Sequence, residues 1–127
     1  MVDQEEIKRE NYLSNKVIGF AFEIYNSLGY GLSEKIYQKA FEQKFIANKI
    51  VYKREKFAKI LFNGSVIGRY FLDFLIEDKL AIELKVRNEI HQTHVNQILN
   101  YLKSKNFKLG LLIVFSKGGV LVKRVIN

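Results

Sequence analysis

The chain has 127 residues, no cysteine and no proline, and Lys plus Arg exceed Asp plus Glu by 21 to 13, a net charge of +8. That length is one ordinary domain with a real core, and the missing thiols exclude a disulfide framework and a thiolate metal site. The charge favours a polyanion, nucleic acid first, against the plain reading of a generic basic protein.

Residues 1–12 read as a polar tail or frayed helix ahead of one domain spanning 1–127. Their opening, "MVDQEEIKRE", has no apolar signal core, and no apolar run nears the roughly 20 residues of a membrane helix. A cytoplasmic protein without membrane contact is expected. Ser14 is a good N-cap, and Val17, Ile18, Ala21, Phe22, Tyr25 and Leu28 recur at helical spacing after it. "GYG" at 29–31 stops this helix, and Ser33 can cap a second one bearing Ile36, Ala40, Phe41 and Phe45.

The period then changes. "IVYKREKFAKILF" is rich in β-formers, Asn63–Gly64 is a hairpin signal, and a second arm runs from Val66 to about Ile76. "EDK" at 77–79 turns the chain into a period-two strand of Leu80, Ile82, Leu84 and Val86. "HQTHVNQILNYLKSK" returns to helix with Val95, Ile98, Leu99 and Leu102 as its stripe. "KLGLLIVFS" reads as a buried strand and "VLVKRVI" as a last short one. The expected order is α–α–β–β–β–α–β–β. Its late strand–helix–strand unit implies a parallel pair, hence an α/β protein with a mixed sheet.

"FLDFLIEDKLAIELKV" places Asp73, Glu83 and Lys85 inside two apolar arms. A three-residue turn centred on Asp78 sets Asp73 directly opposite Glu83, with Cβ atoms about 5 Å apart. Like charges so placed need compensation, and Mg²⁺ takes carboxylate oxygens well. Lys85 shares a face with Glu83 and offers an ammonium to a water or a phosphate. The plain alternative is a solvated face with Lys85 bridging Glu83, and a one-residue slip would end the opposition. Two histidines and no cysteine argue against zinc. The ten Phe and seven Tyr show no regular basic interleaving, so base stacking is not indicated.

The spacing from Asp73 to Glu83–Leu84–Lys85 resembles the D-x(n)-(D/E)-x-K signature of the PD-(D/E)xK nuclease superfamily. "GLSEKIY" at 31–37 is similar to the G-x-x-E-x-x-Y signature of one mostly uncharacterised branch. The resemblance covers roughly Leu13 to Asn127, although Leu72 stands where the named proline would be.

The resemblance implies a restriction-endonuclease-like core of about four to five strands flanked by helices. It implies an Mg²⁺ site, with Mn²⁺ as a substitute, held by Asp73, Glu83 and the backbone carbonyl of Leu84, with Glu34 reaching the metal from its helix. Lys85 would work on the attacking water. Gln97 and Tyr101 match a Q-x-x-x-Y helix motif, and His94 shares their edge of the apolar stripe. Tyr37 packs and orients Glu34. The activity implied is hydrolysis of phosphodiesters in DNA rather than RNA, by a chain that could act as a homodimer. The competing expectation is a catalytically weak or inactive nucleic-acid-binding or assembly module on the same fold.

Overall fold

The structure, a computed structural model, describes residues 3–54 and 56–127. Met1, Val2 and Glu55 lie outside the described residues. Two helices come first, α1 (Gln4–Leu28) and α2 (Glu34–Ala47). They are followed by β1 (Tyr52–Arg54), β2 (Phe57–Phe62), β3 (Ser65–Phe71), β4 (Phe74–Ile76) and β5 (Leu80–Val86). Helix α3 (Gln92–Lys105) then leads to β6 (Leu109–Ser116) and β7 (Gly119–Ile126). The main sheet runs β1-β4-β5-β6-β7, while β2 and β3 form a separate two-stranded sheet. Among the described residues only β5 and β6 pair parallel, so the main sheet is mixed, as expected of a restriction-endonuclease-like core.

Helix α1 starts ten residues before Ser14. Asp3 is its N-cap, accepting from the Glu5 amide at 2.9 Å, and Glu5 and Glu6 favour the first turn. The polar start is therefore helix, pinned by a paired hydrogen bond of Arg9 to Glu77. Ser14 is buried and accepts from Arg124 on β7. The buried stripe of α1 is Leu13, Val17, Phe20, Ala21 and Ile24, and Phe22 and Leu28 of the expected face are exposed. On α2, Ser33 is the N-cap as expected, but Tyr37 joins Phe41 and Phe45 in the core and Ile36 is exposed. Each such buried aromatic stabilises by roughly 2 kcal/mol.

Two arms that read as continuous are broken. The first divides into β1 and β2, and the second into β3 and β4 at Leu72–Asp73. Helices α1 and α2 cover one face of the main sheet, against Phe74, Ile82, Leu84 and Phe115. Helix α3 and the β2–β3 hairpin cover the other, through Ala58, Ala81, Leu112 and Val114. Gly110 lets α3 come close, because a Cβ there would meet Ile98 Cγ2 at 2.6 Å.

Candidate active site

Strands β4 and β5 pair Phe74 with Ile82 and Ile76 with Leu80 across the Glu77–Lys79 turn. The same register carried one residue further puts Asp73 opposite Glu83. Asp73 stands just outside β4, and its carboxylate enters the ladder. Its Oδ2 accepts from the Leu84 amide at 2.7 Å. In a continuous antiparallel pair Leu72 would exchange both backbone bonds with Leu84. The Leu72 N–H instead goes to the Lys56 carbonyl at 2.7 Å. This is the local cause of the bend, without any proline. The bend releases the Leu84 carbonyl from β4 on the edge where the Asp73 side chain sits.

Glu83 is buried at 4% exposure, on the sheet face covered by α3. Burial raises its carboxyl well above the usual carboxylate range, and hydrogen bonding to Asp73 and repulsion by its charge add to the rise. The Tyr70 hydroxyl, which donates to Glu83 Oε2, and Lys85 act the other way. The Tyr70 phenol is itself raised, by burial and then by the Glu83 charge. Lys85 is half-buried two residues along the same strand face. His94 at the start of α3 is lowered by burial, then by Lys85 and Arg87, which favours a neutral imidazole beside the lysine. Its Nδ1 is buried without a hydrogen-bond partner among the described residues.

A second chain of contacts reaches Asp73 from α2. Gln38 Nε2 donates to Asp73 Oδ1 at 2.6 Å. Arg54 Nη2 donates to Gln38 Oε1 at 2.7 Å, and its Nη1 to Glu42 Oε1 at 2.9 Å. Tyr52 closes the chain on Glu42 at 2.8 Å. Gln38, Arg54, Phe71, Leu72 and Asp73 line an open cleft of about 380 Å³.

Sequence reasoning singled out Asp73, Glu83, Lys85 and His94; the structure sets Asp73 against Glu83, Lys85 next along the Glu83 face, and His94 beside Lys85. Glu34 is half-buried one turn before Gln38, and no set of three His, Cys, Asp or Glu gathers around a common point among the described residues. The side chain that α2 delivers to Asp73 is Gln38, not Glu34. Tyr37 is buried, stacks on Phe115 at 4.3 Å and donates to the Gly29 carbonyl at 2.5 Å. It fixes the loop ahead of Glu34. Gln97 is half-buried on α3. Tyr101 lies within the buried stripe rather than at its edge, against Phe107 and beside Asp78 at the turn end of the hairpin. Gln38 and Tyr70 escaped notice, and so did the link from Arg54 through Gln38 to Asp73. Gln38 was within reach of a helical count, since it lies four residues after Glu34 on the same side.

The donor chemistry fits a hard divalent cation. Two opposed carboxylates and a backbone carbonyl offer the oxygen donors such a cation takes, and repulsion between ionised Asp73 and Glu83 is what a cation would offset.

The mixed sheet flanked by helices defines a nuclease fold of the restriction-endonuclease-like type. The family model of the PD-(D/E)XK nuclease superfamily matches residues 11–125, and the chain belongs to that superfamily. Its members generally use divalent metals, usually Mg²⁺. Among solved structures the chain is similar to the crystal structure of SSO0001, at TM-score 0.59 and 17% identity, over 97% of this chain and 61% of that one. It is also similar to an alkaline exonuclease (LHK-Exo) from Laribacter hongkongensis, at TM-score 0.44 and 12% identity, over 73% of this chain and 55% of that one. The chain thus spans between half and two thirds of the length of these solved structures. No protein of curated function matches it. Among the described residues no helix is long and apolar enough to cross a membrane.

Proposed function

We propose that this nuclease-fold protein hydrolyses phosphodiester bonds in DNA with the help of a divalent cation, Mg²⁺ first and Mn²⁺ as a substitute. The observation that carries the reading is the replacement of a strand carbonyl by the Asp73 carboxylate. It sets one acid against a second, buried one and frees the Leu84 carbonyl beside them. A chain that needed only a stable sheet would continue the ladder through Leu72.

Asp73, Glu83 and the Leu84 carbonyl would hold the cation. When bound, it supplies Lewis acidity toward a phosphate oxygen and favours a deprotonated water. Lys85 presents its ammonium on the Glu83 face, where it orients the attacking water and offsets charge building on the phosphate. Gln38, held by Arg54, fixes the Asp73 carboxylate so that it need not reorganise. Tyr70 does the same for Glu83. His94 bounds the site on the α3 side. The +8 charge supports a polyanionic substrate. The "GLSEKIY" motif supports placement in the G-x-x-E-x-x-Y branch.

The second reading, a binding or assembly module without catalysis, is favoured by one observation. Both Asp73 oxygens and one Glu83 oxygen already accept hydrogen bonds from protein groups.

The test is incubation of purified protein with plasmid, linear and single-stranded DNA and with RNA, in Mg²⁺, Mn²⁺ or EDTA. Asp73→Ala and Lys85→Ala serve as controls. Cleavage of DNA that needs the metal and both side chains supports the hydrolase. No cleavage beyond that of the variants, with salt-sensitive binding that survives Asp73→Ala, supports the module.

A further inference from the structure

The β2–β3 hairpin carries an unusual outward face. Its register pairs Phe57 with Phe71, Lys59 with Arg69 and Leu61 with Val66. These residues alternate with Ala58 and Tyr70, which turn inward to α3 and the site. All six are exposed. The two phenyl rings lie 5.4 Å apart, and the Arg69 guanidinium sits 5.4 Å from the centre of the Phe57 ring. Phe71, more than half exposed, is the open ring of the pair and also lines the cleft beside Asp73.

Two features of this face call for an anion and a flat apolar ligand at once. Lys59 and Arg69 are cations directly opposite each other, an arrangement that destabilises a strand pair unless a negative charge lies between them. From Phe57 to Phe71 the sequence has no acidic residue to supply it. Next to the cations is an aromatic pair that buries no core. Rings flanked by cations are how proteins track unpaired nucleotides, with bases on the rings and phosphates on the cations. A second copy of the hairpin would bring cations against cations and leave the like-charge pair unanswered.

We propose that the outward face of the β2–β3 hairpin is a track for single-stranded nucleic acid, leading one strand into the cleft at Asp73. A base stacks on Phe71, the neighbouring phosphate lies between Lys59 and Arg69, and Leu61 and Val66 extend the contact toward the hairpin tip. The chain from 70 to 73 links track and site. Tyr70 holds Glu83, Phe71 faces the strand, Leu72 anchors the bend and Asp73 enters the site. The inference rests on the nuclease reading for the direction of the strand, but the track itself binds without catalysis.

The experiment measures binding in EDTA, so that hydrolysis does not enter. The probe is a fluorescent oligothymidylate about a dozen nucleotides long, with a blunt duplex as comparison. Wild type is expected to prefer the single strand. Phe71→Ala should weaken its binding about tenfold and Phe71→Tyr, which keeps a ring, should restore it. Lys59→Gln and Arg69→Gln should each lower the slope of log affinity against log salt by about 0.7. Ile46→Ala, an exposed apolar position on α2, should change nothing. Circular dichroism confirms that each variant folds.

Three results overturn the track. One is Phe71→Ala binding the oligonucleotide as wild type does. Another is equal rescue by Phe71→Leu and Phe71→Tyr, which would make the contact merely apolar. The third is a concentration-dependent dimer that Phe71→Ala abolishes while oligonucleotide binding persists. Loss of cleavage in Asp73→Ala with oligonucleotide binding intact keeps hydrolysis and track as separate results, each of which can fail alone.

Discussion

Two of the β-hairpins among the described residues, β4–β5 and β2–β3, have similar composition and opposite fate. The β4–β5 pair is built into the main sheet, its apolar residues buried on both faces, with Asp73 at the break in the ladder and Glu83 and Lys85 on β5. The β2–β3 pair stands apart as two strands, with Ala58 and Tyr70 packed inward toward α3 and the rest of the hairpin largely in solvent. An isolated two-stranded hairpin is marginal in water, so β2–β3 depends on its inward face for stability and its outward face is free for a ligand. Burial gives the first hairpin a fixed, desolvated carboxyl at Glu83, set against Asp73. Exposure gives the second accessible rings and cations suited to binding.

Substitutions that act on one hairpin alone sharpen the contrast. The largest effect is expected at Asp73. Asp73→Asn should reduce DNA cleavage on the order of 10³-fold, measured as single-turnover rate at saturating metal, with oligonucleotide binding near wild type. Gln38→Ala should come next. Its side-chain hydrogen bonds go to Asp73 and Arg54, so cleavage should fall roughly 10- to 100-fold, and the metal concentration for half-maximal rate should rise. Gln38→Glu should not rescue, because it sets a third carboxylate beside Asp73.

Stability separates the two regions in a different way. The raised folded pKa of Glu83 means that its contribution is fully present below its ordinary value of 4.5 and is lost as pH rises toward the folded value. Metal-free protein at pH about 8 therefore holds a strained site. Glu83→Gln, which keeps an acceptor for Tyr70, should raise the melting temperature in EDTA by roughly 4 °C while removing cleavage. Calorimetry at low and high pH checks the sign, since the gain should shrink in acid. Gly110→Ala should cost about 1–3 kcal/mol in denaturant unfolding by pushing Ile98 and α3 off the sheet.

The smallest effect belongs to the surface. Arg9 and then its charge hold Glu77 below the usual carboxylate range. That contribution is present above pH 4.5 and is lost as pH falls through the depressed folded value. Arg9→Ala should cost under about 1 kcal/mol at neutral pH, and the difference from wild type should vanish in strong acid.

Asp73 facing Glu83 was legible in the sequence because it needs only a turn centre and a period of two, both local. The mixed sheet followed from the single late strand–helix–strand unit. The cause of the break at Leu72–Asp73 was not legible, because it is the Lys56 carbonyl, remote in sequence, taking the Leu72 amide. Ser14 has the chemistry of a helix cap but serves Arg124, more than a hundred residues away. Tyr101 reads as an edge residue by angle, yet the contact with Phe107 draws it into the core. Read linearly, Phe57 and Phe71 are unrelated aromatics, and Lys59 and Arg69 scattered cations. Only the register of the hairpin makes them one face.

The most direct measurement of the central claim is calorimetric titration of Mg²⁺ and Mn²⁺ into wild type, Asp73→Asn and Ile46→Ala. A divalent site at Asp73 and Glu83 predicts saturable binding to wild type and Ile46→Ala, and its loss in Asp73→Asn. Equal heats in all three proteins, or none in wild type, would contradict it.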